Sequence, residues 1–114
     1  MEEITQRRSG RITLRIRVVV QGTSITGDSI LEETYTLDVN AHGALLLLKT
    51  PVVARQILIV RNYKTHEELI SKVVRVVRSE AGEMAVGLEF MYPSARFWRV
   101  AIPPKDWTPQ MQPT

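Results

Sequence analysis

The chain contains no cysteine, so disulfides and thiolate metal sites are excluded and a reducing cytoplasm is the expected setting. Histidine is scarce: His42 and His66 are the only two. A serine triad would need one of them beside a nucleophile and an acid, and the sequence has no nucleophile-elbow pattern. His66-Glu67-Glu68-Leu69-Ile70 opens like a zinc-protease helix, but it lacks the second histidine that a metal site of that kind requires. No phosphate-binding loop or dinucleotide fingerprint occurs, and no two carboxylates stand out as an acid/base couple. These absences predict a protein that is not an enzyme and carries no metal or cofactor. Long apolar runs are missing too. Segments such as Gly43–Leu48 fall far short of the ~20 residues of a membrane helix. The opening Met1-Glu2-Glu3 lacks the apolar stretch of a signal peptide. No membrane span is expected. Aromatic residues are few, at 6%, and none is interleaved with the arginines of the first strand. Single-strand-binding barrels rely on such interleaving for base stacking, so DNA is not the expected partner.

What is present suffices for one core. A hydrophobic fraction of 44% over 114 residues predicts a single globular domain spanning 1–114. The net charge is only +3, but it is unevenly placed. Arg7, Arg8, Arg11, Arg15 and Arg17 fall within eleven residues that contain no acid, a clustering that points to an anionic partner.

Hydrophobic periodicity gives the elements. Residues 1–10 are polar and aperiodic and read as an arm. From Arg11 to Val20, Ile12, Leu14, Ile16, Val18 and Val20 alternate with Arg11, Thr13, Arg15 and Arg17, the period of a half-buried strand. Gln21 to Ser29 reads as a loop. Glu32 to Val39 is a second strand, with Tyr35, Leu37 and Val39 on one face and Thr34, Thr36 and Asp38 on the other. Asn40-Ala41-His42-Gly43 is a hairpin turn, because Asn and Gly tolerate positive φ. Further strands are expected over Ala44–Leu48, Gln56–Arg61, Leu69–Arg78 and Met84–Phe90. In the last, Met84, Val86, Leu88 and Phe90 share a face; Arg75 and Arg78 read as solvent-facing. Ser94 serves as an N-cap for a short helix over 94–102 that anchors Phe97 and Trp98 in the core. Pro103 and Pro104 stop that helix, and 103–114 is a tail. The fold class is therefore all-β: a small six-stranded antiparallel barrel over 11–91 with a short C-terminal helix across one end.

Two short segments carry the chemistry. Arg7-Arg8-Ser9-Gly10-Arg11 sets two guanidinium groups four residues apart on a chain that Gly10 lets bend. Each can grip a phosphate or a guanine edge through paired donors and can stack on a base. Asp38-Val39-Asn40-Ala41-His42-Gly43 offers a carboxylate suited to the N–H groups of a guanine, an amide, and a glycine that admits close backbone approach. Together these segments resemble the PilZ domain family, bacterial receptors for the second messenger cyclic di-GMP. The family pattern is Arg-x-x-x-Arg followed by Asp or Asn-x-Ser-x-x-Gly at the end of the second strand. Arg7 and Arg11 match the first motif and Asp38 and Gly43 the second, with Asn40 in place of its serine. The runs Asn40–Leu47 and Met84–Phe90, with Gly87 and Phe90, also look like the family's turn-and-strand and last-strand segments.

The resemblance implies a non-catalytic cyclic di-GMP receptor. Arg7 and Arg11 hold phosphates and guanines, Asp38 binds a guanine edge, and Asn40 and Gly43 complete that wall. Arg8 adjoins them without being required by the pattern. Ligand binding would order the arm over the barrel and change the surface offered to a protein effector. The alternative is a PilZ-type adaptor that recognises a protein without binding the nucleotide.

Overall fold

A computed structural model describes residues 10–78 and 82–100. It contains seven strands: β1 (Ile12–Thr13), β2 (Arg17–Thr23), β3 (Ser29–Asn40), β4 (Gly43–Leu48), β5 (Ile57–Asn62), β6 (Glu68–Arg78) and β7 (Met84–Phe90). All pairings are antiparallel, in the order β1-β3-β2-β5-β6-β7-β4, and β4 pairs back onto β3. This last pairing closes β2 to β7 into a six-stranded barrel, with β1 as an additional strand on β3. Inside lie Val18, Val20, Val39, Leu46, Leu48, Leu58, Val60, Val73, Val86 and Leu88, all buried. No helix among the described residues is long and apolar enough to cross a membrane.

The first expected strand is split, and a buried hydroxyl accounts for the break. Ile12, Leu14 and Ile16 pack against the core as the alternation requires, yet Leu14–Ile16 leave the ladder. Thr36, 1% exposed, stands between the two chains there. Its Oγ1 accepts from the Ile16 N–H at 2.9 Å and donates to the Leu14 carbonyl at 2.6 Å. The side chain thus replaces a ladder bond and bends the strand toward β3. Thr36→Val keeps the shape and strips both bonds, so it is expected to cost about 2–3 kcal/mol, read as a lower urea midpoint with unchanged slope.

Alternation in β3 also breaks, contrary to the expectation that Tyr35, Leu37 and Val39 share a face. The β3–β4 register shifts between Thr36 and Asp38. This bulge at Leu37 puts Thr36 and Val39 inside and Tyr35 and Leu37 outside. Two consecutive residues, Leu37 and Asp38, therefore face outward. A second bulge lies in β6 at Val74, where the pairing with β7 shifts between Val73 and Arg75. The expected loop is also shorter than predicted: Gln21–Thr23 continue β2 and Ser29 already belongs to β3.

No helix forms over Ser94–Val100; residues 101 and 102 of the expected helix lie outside the described residues. A single turn is closed by the Arg99 N–H on the Arg96 carbonyl at 3.1 Å, and Arg99 then adopts φ 58°, which ends helical propagation. The barrel takes the backbone groups that a helix would use. Ser94 N–H donates to the Ala41 carbonyl at 2.8 Å, and the Phe97 carbonyl accepts from Asn62 Nδ2 at 2.9 Å. Phe97 and Trp98 are core anchors, as expected, but from an irregular segment. Phe97 meets Phe90 edge-on at a centroid distance of 5.4 Å and Trp98 stacks on it at 5.7 Å, and together they close one end of the barrel.

Candidate ligand-binding site

The end closed by these aromatics is also where β1, β3, β4 and β7 meet around the Asn40–Gly43 hairpin. None of these four residues has a positive φ, so the conformational freedom expected of Asn and Gly is not what makes the turn. It is held by hydrogen bonds. Asn40 Oδ1 accepts from the His42 N–H at 2.8 Å, a local side-chain cap of the kind asparagine forms in turns. The Asn40 carbonyl accepts from Trp98 Nε1 at 2.9 Å, and the His42 carbonyl accepts from the Phe90 N–H at 2.6 Å.

Gly43 has a different necessity. A Cβ placed on it would lie 1.8 Å from the carbonyl oxygen of Leu88. Its close-approach partner is therefore the β7 backbone.

Beside this turn, on the outer surface of the barrel, lies a cavity of about 360 Å³ lined by Arg11, Asp38, Asn40, His42, Gly43 and Arg75, among others. Each reaches it for a local reason. The pairs Ile12↔Val39 and Thr13↔Asp38 carry Arg11 to the end of β3, beside Asn40. The Leu37 bulge turns Asp38 outward. The floor is made by β4 and β7, where Leu45 pairs with Gly87.

Four of the six sequence-predicted residues, Arg11, Asp38, Asn40 and Gly43, thus line one cavity; Arg7 and Arg8 lie outside the described residues. Among the described residues, neither Arg11 nor Asp38 has a hydrogen bond or ion pair from its side chain. The other described arginines of this segment, Arg15 and Arg17, are engaged. Arg15 lies 4.2 Å over the Tyr35 ring. Arg17 lies 4.0 Å over Tyr63 and pairs with Glu33, whose hydrogen bond raises the guanidinium pKa further above its already high value. Tyr35 lies on β3 and Tyr63 in the turn after β5, so neither ring is visible in the alternation of the first strand.

Arg75, His42 and Glu89 line the cavity without having been among the expected ligand-binding residues. Arg75 read as a solvated strand residue, and the signal that places it in the cavity is a bulge that no periodicity displays. His42 read as a turn residue; it occupies the turn and lines the cavity as well. No protein-family model matches the chain, and a search of curated proteins finds no match.

Proposed function

We propose that this chain is a non-catalytic, PilZ-type receptor for cyclic di-GMP, working in the cytoplasm through a protein effector. The observation that carries this reading is the convergence of Arg11, Asp38, Asn40 and Gly43 on one surface cavity, in the order and strand context of the two motifs. The Arg11 guanidinium and the Asp38 carboxylate both line it without a side-chain hydrogen bond or ion pair among the described residues, and a guanine nucleotide offers phosphate to the first and N–H donors to the second. Arg7 is four residues from Arg11, so chain geometry keeps the two Cα atoms within about 14 Å, close enough for both to close over one ligand. Binding then pins the N-terminal segment to the barrel and presents a new surface to the effector.

Calorimetric titration with cyclic di-GMP tests this. The wild type is expected to bind at micromolar ligand. Arg7→Ala with Arg11→Ala is expected to weaken binding at least about a hundredfold, since each lost charge-assisted bond is worth about 1.5–3 kcal/mol. The absence of heat from the wild type at tens of micromolar protein (roughly where weak receptors still register) defeats the receptor reading.

One observation favours the adaptor alternative: Oδ1 of Asn40 is engaged by the His42 N–H, which occupies one of its two acceptor lone pairs and ties the amide to its own turn. On that reading the unmodified protein does not bind and Asn40→Ser restores binding. Tight binding by the wild type excludes it.

A further inference from the structure

Four outward-facing residues form one row across the sheet: Asp38 pairs with Leu45, Leu45 with Gly87, and Gly87 with Arg75. Adjacent strands lie ~4.8 Å apart, so the row places Asp38 and Arg75 about 14 Å apart along the sheet, at opposite ends of a trough. The floor is bare at Gly87, where an added Cβ would sit 3.6 Å from both Arg75 Cβ and Val74 Cγ2. Both ends of the row are set by bulges, at Leu37 in β3 and at Val74 in β6, and each bulge turns two consecutive residues outward. Bulges are a common means of re-aiming a side chain at a site. Val73 is buried and Val74 exposed, and Arg75 lines the cavity. Arg75 has no ion pair or hydrogen bond from its side chain among the described residues. The cavity's other acid, Glu89, lies in the neighbouring row with Gly43 and Lys72.

We infer that Arg75 is a ligand-binding residue of this cavity and that it reads the N7 acceptor of a guanine whose donor edge is held by Asp38. This inference rests on the nucleotide-receptor reading above. Guanine carries N–H donors on its Watson–Crick edge and an acceptor at N7 on the far side of the ring system. A carboxylate at one end of the trough and a guanidinium at the other match that polarity. The side-chain-free floor at Gly87 lets the flat ring lie against the sheet between them. Arg-to-N7 recognition is among the commonest specific contacts to this base. Asp38 alone cannot fix the orientation of the ring; a donor at the opposite end does.

The test is titration of the wild type, Arg75→Ala and Arg75→Lys with cyclic di-GMP and with its 7-deaza analogue, which replaces N7 by carbon. The wild type is expected to prefer the natural ligand by about tenfold or more. Arg75→Ala is expected to weaken the natural ligand by about ten- to hundredfold and to bind both ligands equally. Arg75→Lys is expected to recover part of the affinity with less discrimination, because it lacks the planar fork. Arg75 is exposed, so the variants should melt as the wild type does. Unchanged affinity in Arg75→Ala overturns the inference and leaves the receptor reading intact. So does equal weakening toward both ligands with discrimination retained, which marks a phosphate contact. No binding by the wild type removes the receptor reading and this inference with it.

Discussion

Gly43→Ala is expected to destabilise the protein by about 3 kcal/mol or more, the upper range for overpacking a close-packed site. The clash is with main chain: an alanine Cβ would lie 1.8 Å from the Leu88 carbonyl oxygen, 2.9 Å from its carbon and 3.1 Å from Glu89 Cα. A side chain could rotate away, but the β7 backbone can yield only by separating from β4. Those strands pair over six residues, from Gly43↔Glu89 to Leu48↔Met84, and their separation opens the closed barrel. Urea denaturation with far-ultraviolet circular dichroism measures the cost. Retention of wild-type stability by Gly43→Ala would mean that β4 and β7 do not approach as described. The same variant is a poor probe of ligand binding, since loss of affinity would follow from loss of structure. Asp38→Ala separates the two effects, because the Asp38 side chain lies outside the core and makes no hydrogen bond or ion pair among the described residues, while its backbone pairing is kept.

This role of Gly43 shows where sequence reading works and where it stops. Period-two alternation located the first, second and last expected strands and the buried faces of β2 and β7, because burial on one face selects apolar residues at every second position, and apolar runs between turn residues located the others. It failed where one residue is inserted into a ladder. Past Leu37 the inward face changes parity, and past Val74 it changes again. Neither sequence neighbourhood marks the insertion, since Leu and Val suit a regular strand equally well. Those two insertions shape the cavity: without them Asp38 and Arg75 would sit at other positions of the pleat. The helix expected after Ser94 failed differently. Local cap and composition favoured it, while tertiary hydrogen bonds from Asn62 and to Ala41 drew its backbone groups elsewhere. Gly43 was singled out for close backbone approach to a ligand; the close neighbour that the structure shows is the β7 backbone, which could not be named before the partner strand was known.

Trp98→Ala is expected to cost about 3–5 kcal/mol, the range for deleting a large buried aromatic, and to weaken the candidate site although Trp98 does not line the cavity. The side chain is 3% exposed and packs on Phe97 at 4.8 Å and on Phe90 at 5.7 Å between ring centroids, so its removal opens the end of the barrel. Its indole N–H also holds the Asn40 carbonyl at 2.9 Å, and Asn40 begins the turn that joins Asp38 to Gly43. Trp98→Phe separates these contributions. It keeps most of the packing, loses the donor, and leaves a carbonyl unsatisfied at a cost of about 1–3 kcal/mol. If the tether positions the turn, Trp98→Phe binds cyclic di-GMP more weakly than the wild type at a temperature where both are fully folded. Equal affinity there would show that the Phe90 and Ser94 backbone bonds to the turn suffice. A cost below about 1 kcal/mol for Trp98→Ala would show that Trp98 does not close the barrel end, since deleting a fully packed aromatic cannot be that cheap.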